Sequence, residues 1–221
     1  MSYMRILIVD DHALFREGLK FLLRDLDDEL NISEAADCQQ AAALSGEGFD
    51  LILLDLHMPG IADLDALDAM RKTFEATRIV VLSGEEDPRQ VRRAIDSGAA
   101  GFVPKSSTPE VLLNALRLIL GGGIYLPPMA LRGLPDAPEA RPGNHVSRER
   151  IAEALSGRQV DVLNKAVQGK PNKVIARELG ISEATVKAHL SAAFRVLNVH
   201  NRTEAVYAAA RLGLRLTNAP S

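Results

Sequence analysis

Two kinds of apolar pattern divide the chain. In the first half, short aliphatic runs alternate with longer segments in which apolar residues recur every three or four positions. The short runs predict strands at residues 5–9, 30–35, 51–54, 78–82 and 100–103, and the longer segments predict helices near 13–25, 37–45, 62–73, 88–96 and 108–120. Five strands alternating with five helices predict an α/β fold with a doubly wound, five-stranded parallel sheet.

The second half shows only the helical pattern. It predicts helices near 147–155, 158–168, 171–179, 182–197 and 201–213, and no convincing strand. Between the halves, "GGGIYLPPMALRGLPDAPEARPGNH" is rich in Gly and Pro, which is typical of a linker that is semi-rigid where prolines cluster. We therefore predict a sheet domain at 1–120, a linker at 121–146 and a small all-helical domain at 147–221.

Composition narrows the class of protein. A chain of 221 residues can form two small domains with real cores. No apolar stretch approaches the roughly 20 residues of a membrane span, and the start "MSYMRILIVDD" has no long apolar signal region. The single cysteine, Cys38, cannot form an internal disulfide and suits a reducing compartment. We expect a cytoplasmic protein without a membrane partner.

The net charge of −3 hides an asymmetry. Residues 1–120 carry 12 Lys and Arg against 21 Asp and Glu, whereas residues 147–221 carry 12 against 6. An acidic half joined to a basic half favours two domains with different partners, and the basic one suits nucleic acid. Chance scatter of surface charge is the alternative.

Polar residues stand where four of the predicted strands end. Asp10 and Asp11 follow the first strand, Asp55 the third, Ser83 the fourth and, shortly after the fifth, Lys105. Because the carboxyl ends of parallel strands share one edge of a sheet, we expect these side chains to converge on one pocket. Taken singly, each has an ordinary explanation: a helix N-cap for Asp10, a turn residue for Ser83 and a solvated lysine for Lys105.

That set of side chains suits transfer of a phosphoryl group to a carboxylate. Clustered acids repel one another unless a cation compensates, and Mg²⁺ prefers oxygen ligands from a few carboxylates and a phosphate. Asp55 can then act as a nucleophile and form an acyl phosphate. Lys105 can pair with the phosphoryl oxygens, and Ser83 can donate a hydrogen bond to one of them.

Residues 5–120 resemble the receiver domain of two-component response regulators. The matching motifs are "ILIVDDH", "LILLDLHMPG", "VVLSG" and "GFVPKSS", in order and suitably spaced. The resemblance implies a flavodoxin-like fold in which Asp55 accepts a phosphoryl group from a sensor histidine kinase. It also implies the residues around that acceptor: Mg²⁺ ligands at Asp10, Asp11, Asp55 and the backbone carbonyl of His57, and switch positions at Ser83 and Phe102.

Residues 171–197 predict a helix, a glycine turn and a second helix. Gly180 suits the end of the first helix, and Ser182 suits the N-cap of the second. The second helix has an apolar face of Val186, Leu190, Ala193 and Leu197 and an opposite face of Lys187, Ala188, Ser191 and Arg195. This pattern matches helix-turn-helix recognition of the DNA major groove, although any helical hairpin with a glycine turn looks similar.

Residues 155–213 resemble the C-terminal domain of LuxR/FixJ/NarL-type transcription regulators. The matching segments are "LSGRQVDVL", "GKPNKVIARELGISEATVKAHL" and "NRTEAV". The resemblance implies that the last helix can support dimerisation. It also implies that Lys173, Thr185, Lys187 and Arg202 lie near double-stranded DNA. The face of the second helix opposite its apolar face adds Ala188, Ser191 and Arg195 to this set.

Together these features predict a transcription regulator, not an enzyme, that binds DNA as a homodimer when Asp55 is phosphorylated. A magnesium phosphohydrolase is one alternative, but those of the haloacid dehalogenase type have two acids spaced by one residue after the first strand. A signalling adaptor that binds protein is another, and the basic balance of the second half argues against it. An autoinducer-binding LuxR regulator would lack the acids at the strand ends.

Overall fold

The computed structural model describes residues 3–27, 29–131, 154–197, 199 and 202–211. The chain forms two compact units, Met1–Ala130 and Leu131–Ser221. The first unit contains five strands: β1 Met4–Val9, β2 Leu30–Ala35, β3 Leu51–Asp55, β4 Arg78–Ser83 and β5 Gly101–Pro104. All neighbouring strands are parallel, in the order β2-β1-β3-β4-β5. The predicted doubly wound sheet is confirmed, and the strand order reverses between β1 and β3, where such sheets bind ligands.

Five helices connect these strands: α1 Ala13–Leu23, α2 Cys38–Ala43, α3 Asp63–Thr73, α4 Pro88–Asp96 and α5 Pro109–Leu120. A short 3₁₀ helix, Ser45–Glu47, precedes β3. Side chains cap three of the helices at their N-termini. Asp37, Asp87 and Thr108 accept hydrogen bonds from main-chain N–H groups in the first turns of α2, α4 and α5.

The central strands are buried on both faces. Every residue of β3 is buried, and Ile6 and Ile8 of β1 pack with Leu19 of α1 and Leu116 of α5. This two-sided burial explains why the strands appear as continuous apolar runs rather than alternating patterns. Each fully buried aliphatic side chain stabilises the fold by roughly 1.5–3 kcal/mol. The sheet is therefore a rigid frame whose carboxyl edge carries the polar side chains.

Residues 121–130, named the strap here, pack on the edge strand β5. Tyr125 forms a parallel bridge with Gly101, and its carbonyl oxygen accepts a hydrogen bond from the N–H of Phe102 at 3.3 Å. The strap ends in a short 3₁₀ helix, Pro128–Leu131, in which the carbonyl of Ala130 accepts a hydrogen bond from Arg92 of α4 at 3.3 Å. The strap therefore pairs main-chain groups that an edge strand would leave exposed.

The strap corrects the extent of the linker that we predicted at 121–146. Its Gly and Pro content predicted a linker that is semi-rigid where prolines cluster, whereas Ile124 and Ala130 are buried within the first unit. Gly101 allows the close approach, because a Cβ there would lie 2.6 Å from Cδ1 of Ile119 and 3.3 Å from the carbonyl oxygen of Tyr125. The remaining predicted linker residues, 132–146, lie outside the described part of the chain.

The second unit contains four described helices: α6 Gly157–Val167, α7 Asn172–Leu179, α8 Glu183–Leu197 and α9 Arg202–Arg211. They match the last four predicted helices, whereas most of the helix predicted at 147–155 lies outside the described residues. Gly180 has a φ of 65° at the end of α7, and Ser182 accepts a hydrogen bond from the N–H of Thr185 at 3.1 Å. Within the described ranges, the helices are too short or too polar to cross a bilayer.

Candidate functional site

Two acids and a lysine meet at the carboxyl edge of the sheet. Asp10 directly follows β1 and Asp55 ends β3, and each is only 1% exposed. Lys105 follows β5, and its Nζ lies 2.7 Å from Oδ2 of Asp10 and 2.8 Å from Oδ2 of Asp55. The structure therefore brings together three of the residues that the sequence placed at strand ends.

The fold fixes Lys105 between these acids. Its main-chain N–H donates to the carbonyl of Ser83 at 2.7 Å, and its Nζ lies 4.5 Å from the ring centroid of Phe15. Burial by itself would lower the pKa of Lys105, but the contacts with Asp10 and Asp55 outweigh it and raise the pKa above its ordinary value. Lys105 is therefore a cation at neutral pH and offsets part of the negative charge.

The second oxygen of each acid is held by a main-chain group. Oδ1 of Asp10 accepts a hydrogen bond from the N–H of His12 at 2.8 Å, and Oδ1 of Asp55 accepts one from the N–H of His57 at 3.1 Å. The N-cap position of α1 is His12, so Asp10 does not take the alternative role of a helix N-cap. Both acids are locked in local turns, which aims their remaining oxygen at the crevice.

The oxygens around the crevice suit a hard cation. Ligand atoms of Asp10, Asp11, His12 and Asp55 all lie within 4.8 Å of one another. Oδ2 of Asp10 and Oδ1 of Asp11 are buried and accept no well-aligned hydrogen bond, although each lies 2.7 Å from a nitrogen, that of Lys105 and that of His12 respectively. Carboxylate oxygens are the ligands that Mg²⁺ prefers, so the residues present fit that ion.

Sequence reasoning missed His12 in this cluster. Its only signal was its place directly after the acid pair in "DDH". An imidazole nitrogen suits softer metals than Mg²⁺, so we do not count His12 as a ligand for that ion. Its side chain is 66% exposed and contacts the carboxylate of Asp11 from the solvent side.

The two positions predicted to act in the switch, Ser83 and Phe102, lie in the interior. Ser83 and Phe102 are fully buried, and Oγ of Ser83 accepts a hydrogen bond from the N–H of Glu85 at 3.1 Å. His57 lies against the same loop, with Nδ1 3.5 Å from Oγ of Ser83 and Nε2 3.3 Å from the carboxylate of Glu85. The sequence did not single out Glu85. The role of the His57 carbonyl as a metal ligand stays a prediction.

A cavity of about 720 Å³ opens beside these groups. Asp55, His57 and Lys105 contribute polar groups to its lining, and Phe15 and Leu19 of α1 are among its apolar lining side chains. An acid that is almost fully buried is therefore reached through a preformed, mostly apolar opening. Such an opening admits a group carried by another molecule while limiting the water around the acid.

In the helical unit, α8 presents two different faces. As the pattern predicted, Val186 and Leu190 are buried against α6 and α7, Ala193 is buried against α6 and α9, and Leu197 is half-buried. The opposite face is exposed at Lys187, Ala188, Ser191 and Arg195, as is Lys173 on α7, while Thr185 is half-buried. Six of the seven residues expected near DNA therefore retain at least partial exposure.

Arg202 is the exception. It is only 8% exposed, and its guanidinium donates to the main-chain carbonyls of Ala166 and, at 3.1 Å, of Lys170. These carbonyls belong to the end of α6 and to the turn before α7, so Arg202 ties the start of α9 to that turn. The resemblance suggested a position near DNA, but burial and the two hydrogen bonds from Nη2 favour a structural contact.

Comparison with known proteins assigns both units. Residues 6–117 match the family described as the response regulator receiver domain, and residues 153–209 match the family described as bacterial regulatory proteins, luxR family. The first match spans the five strands and their helices except the first two residues of β1 and the last three of α5, and the second spans the four described helices of the second unit except the last two residues of α9.

Relatives with the same two parts extend over nearly the whole chain. The chain is 40% identical over 208 residues to the glycerol metabolism activator of Pseudomonas putida, covering 93% of this chain and 94% of that protein. It is 37% identical over 201 residues to the nitrate/nitrite response regulator protein NarL of Escherichia coli strain K12, covering 90% and 92%. A crystal structure of a LuxR family DNA-binding response regulator from Silicibacter pomeroyi superposes with a TM-score of 0.51 at 36% identity, covering 57% of this chain and 98% of that one.

Fold and site thus define a receiver joined to a helix-turn-helix domain. The chain belongs to the luxR-family response regulators of two-component systems, which are DNA-binding transcription regulators.

Proposed function

We propose that phosphorylation of Asp55 by a sensor histidine kinase switches this regulator. The observation that carries the proposal is the contact of Lys105 with both Asp55 and Asp10 at the strand-order reversal of the sheet. A buried carboxylate next to a fixed cation, a second acid and an open cavity is equipped to accept an anionic group. The family match supplies the donor class, because receivers of two-component systems act with histidine kinases.

The reaction is a displacement at phosphorus. One oxygen of the Asp55 carboxylate attacks the phosphorus of phosphohistidine, the new P–O bond forms an acyl phosphate, and the P–N bond breaks with its electron pair passing to the imidazole. Lys105 then pairs with phosphoryl oxygens instead of the carboxylate. The mostly apolar cavity limits the water that would otherwise hydrolyse the product.

Receiver domains generally use Mg²⁺ at such an acidic pocket. In this chain Asp10, Asp11, Asp55 and the main-chain carbonyl of His57 would hold the ion, which would neutralise charge on the phosphoryl oxygens. The buried oxygens of Asp10 and Asp11 without well-aligned hydrogen bonds support that assignment.

We propose that the switch reaches the rest of the chain through Ser83 and Phe102. A hydroxyl that turns towards the phosphoryl group vacates space beside β4, and the buried ring of Phe102 can occupy it. The population then shifts between two receiver states. The N–H of Phe102 donates a hydrogen bond to the carbonyl oxygen of Tyr125 in the strap. A movement of Phe102 would therefore also move the strap, the segment that leads to the second unit. The phosphorylated state is proposed to form a homodimer, supported by α9.

For DNA we propose that α8 enters the major groove. Lys187 and Ala188 near its start are exposed and placed to meet base edges, whereas Arg195 further along meets phosphate. Lys173, Thr185 and Ser191 are assigned to supporting contacts. Arg202 is proposed to act indirectly, by fixing the frame in which α7 and α8 are presented.

We infer that the protein works as a regulator and not as an enzyme. Hydrolysis of the acyl phosphate resets the switch and regenerates the Asp55 carboxylate, but the product that matters is the changed affinity for DNA. A multiple-turnover phosphatase assay with small phosphomonoesters is expected to show no sustained release of phosphate.

The test is incorporation of label from acetyl phosphate with Mg²⁺. Asp55→Asn should abolish labelling, because an amide cannot form the acyl phosphate. Asp50→Asn is the matched control, since Asp50 lies just before β3 at the opposite end of the strand and accepts a hydrogen bond from the N–H of Arg5. Labelling of Asp55→Asn at the wild-type level would overturn the assignment.

A further inference from the structure

The main chain of Asp10 is held from two sides. Its N–H donates to the carbonyl of Ala35 in β2 at 3.1 Å, and its carbonyl oxygen accepts a hydrogen bond from Nη1 of Arg16 at 2.6 Å. The second contact fixes the peptide that joins Asp10 to Asp11. The orientation of this peptide determines where the Asp11 carboxylate points relative to that of Asp10.

Arg16 is itself fixed by ionic contacts at the end of β2. Its Nε donates to one carboxylate oxygen of Glu34 at 3.0 Å, and Lys20 donates to the other at 2.6 Å. The Arg16 side chain is only 16% exposed. The hydrogen bond from Lys20 and, to a lesser degree, that from Arg16 lower the pKa of Glu34 against the opposing effect of burial. Glu34 is therefore ionised at neutral pH and accepts the hydrogen bond from Arg16 as a carboxylate.

We propose that Arg16 is a positioning residue for the cation site, which it serves by holding the Asp10–Asp11 peptide in the orientation that lets both carboxylates bind one ion. The inference rests on the proposed function, because it concerns the Mg²⁺ site of the phosphoacceptor. Mg²⁺ requires near-ideal octahedral geometry, so a small displacement of one carboxylate weakens binding. Arg16 contacts neither the crevice oxygens nor the acceptor, and it acts only through the main chain.

The chain offers a matched control at the other end of the sheet. Arg5 also donates from its guanidinium to a main-chain carbonyl and a carboxylate, both of Glu47. The Nη2 atom of Arg5 lies 2.7 Å from Oε2 of Glu47. If Arg16→Met weakened Mg²⁺ binding only because the fold had lost stability, Arg5→Met should weaken it as well.

The experiment measures Mg²⁺ binding to the full-length protein by calorimetric titration, and the Mg²⁺ concentration that gives half-maximal labelling by acetyl phosphate. Arg16→Met should weaken Mg²⁺ binding by about tenfold or more, the size of effect typical for a group that orients a metal ligand. The labelling rate at saturating Mg²⁺ should change much less. The Mg²⁺ affinity of Arg16→Lys should fall between those of the wild type and Arg16→Met, because an ammonium has fewer donors and reaches either the Asp10 carbonyl or Glu34. Arg5→Met should leave Mg²⁺ binding unchanged.

Two outcomes would overturn the proposal. One is unchanged Mg²⁺ binding in Arg16→Met; the other is an equal loss of Mg²⁺ binding in Arg5→Met. If Arg16→Met does not fold, Glu34→Gln provides the same test, because it removes the charge that orders Arg16. Failure of the proposed function is distinguishable: the wild-type protein would then bind Mg²⁺ without being labelled at Asp55.

Discussion

Replacing Lys105 with methionine tests whether its ammonium balances the two buried acids. The substitution keeps most of the length of the side chain and removes the charge. Asp10 and Asp55, each 1% exposed, would then face one another without the cation that lies 2.7 and 2.8 Å from them. Removing one partner of a buried ion pair costs about 3–5 kcal/mol, because the remaining charge stays desolvated. The Lys105 side chain is 19% exposed, so we take the lower end, about 3 kcal/mol.

This loss should be visible in the calorimetric transition of the first unit. For a unit the size of Met1–Ala130, 1 kcal/mol corresponds to roughly 4 °C in Tm, so Lys105→Met should lower Tm by about 12 °C without Mg²⁺. Because the pKa of Lys105 is raised above its ordinary value of 10.5, its stabilisation is fully present below pH 10.5 and is lost only as pH rises through the higher folded value. The difference between wild type and variant should therefore be constant from pH 7 to pH 9.

Added Mg²⁺ should reverse part of the loss. The ion and the ammonium compete for the same carboxylate oxygens, so Mg²⁺ should raise Tm more in Lys105→Met than in the wild type. Lys72→Met, at an exposed position near the end of α3, serves as the control and should change neither quantity. A Tm for Lys105→Met within about 2 °C of the wild type would refute the view that this lysine balances buried charge.

Three further predictions concern the helical unit and the strap. Lys187→Ala should relax preference at one base pair of each half-site by roughly 1–3 kcal/mol, and Arg195→Ala should lower the slope of log affinity against log salt by about one unit. Arg202→Met should leave that slope unchanged while lowering the stability of the helical unit. Binding to single-base operator variants at several salt concentrations measures the base preference and the slope. Gly101→Val should displace the strap and cost about 1–3 kcal/mol, seen as faster amide exchange in residues 121–130. Burial alone would raise the pKa of Glu178, but its contacts with Lys165 and Lys170 lower it, so the stabilisation that its carboxylate provides is lost as pH falls. Glu178→Gln should therefore cost up to about 1 kcal/mol of stability near pH 7 and nothing at strongly acidic pH. Amide exchange of α7 in the variant and the wild type at each pH checks this.

The sequence was sufficient to predict the sheet, because strands that are buried on both faces appear as continuous apolar runs. Runs such as Leu51–Asp55 admit few structures other than a buried parallel strand, and four of the five strands are followed by, or end in, a polar residue at the edge. Once the strands are parallel, the meeting of Asp10, Asp55 and Lys105 follows from topology alone. The fold and the core of the site were therefore predictable together.

The strap and the role of Arg202 were not predictable for a shared reason. Both depend on contacts with main-chain carbonyls, and because every residue has one, residue types do not show which carbonyl accepts a hydrogen bond. A Gly- and Pro-rich segment gives no periodic pattern whether it lies free or pairs with an edge strand, and Tyr125 binds through its backbone. Arginine next to a turn gives the same signal whether its guanidinium meets phosphate or the carbonyl of Ala166.

The charge at the crevice connects the metal to the switch. Ligand oxygens of Asp10, Asp11 and Asp55 lie within 4.8 Å of one another, and the one ammonium of Lys105 contacts Asp10 and Asp55, so three carboxylates face one cation. A divalent cation bound there would offset the remaining two negative charges. Phosphorylation replaces one carboxylate with a group of about −1.5 to −2 charges, so the need for a cation increases once the phosphoryl group has arrived. Without metal, the net charge of these groups would therefore go from −2 to about −2.5 to −3 when Asp55 is modified. This asymmetry predicts that Mg²⁺ binds more tightly to the phosphorylated state and, by linkage, stabilises it.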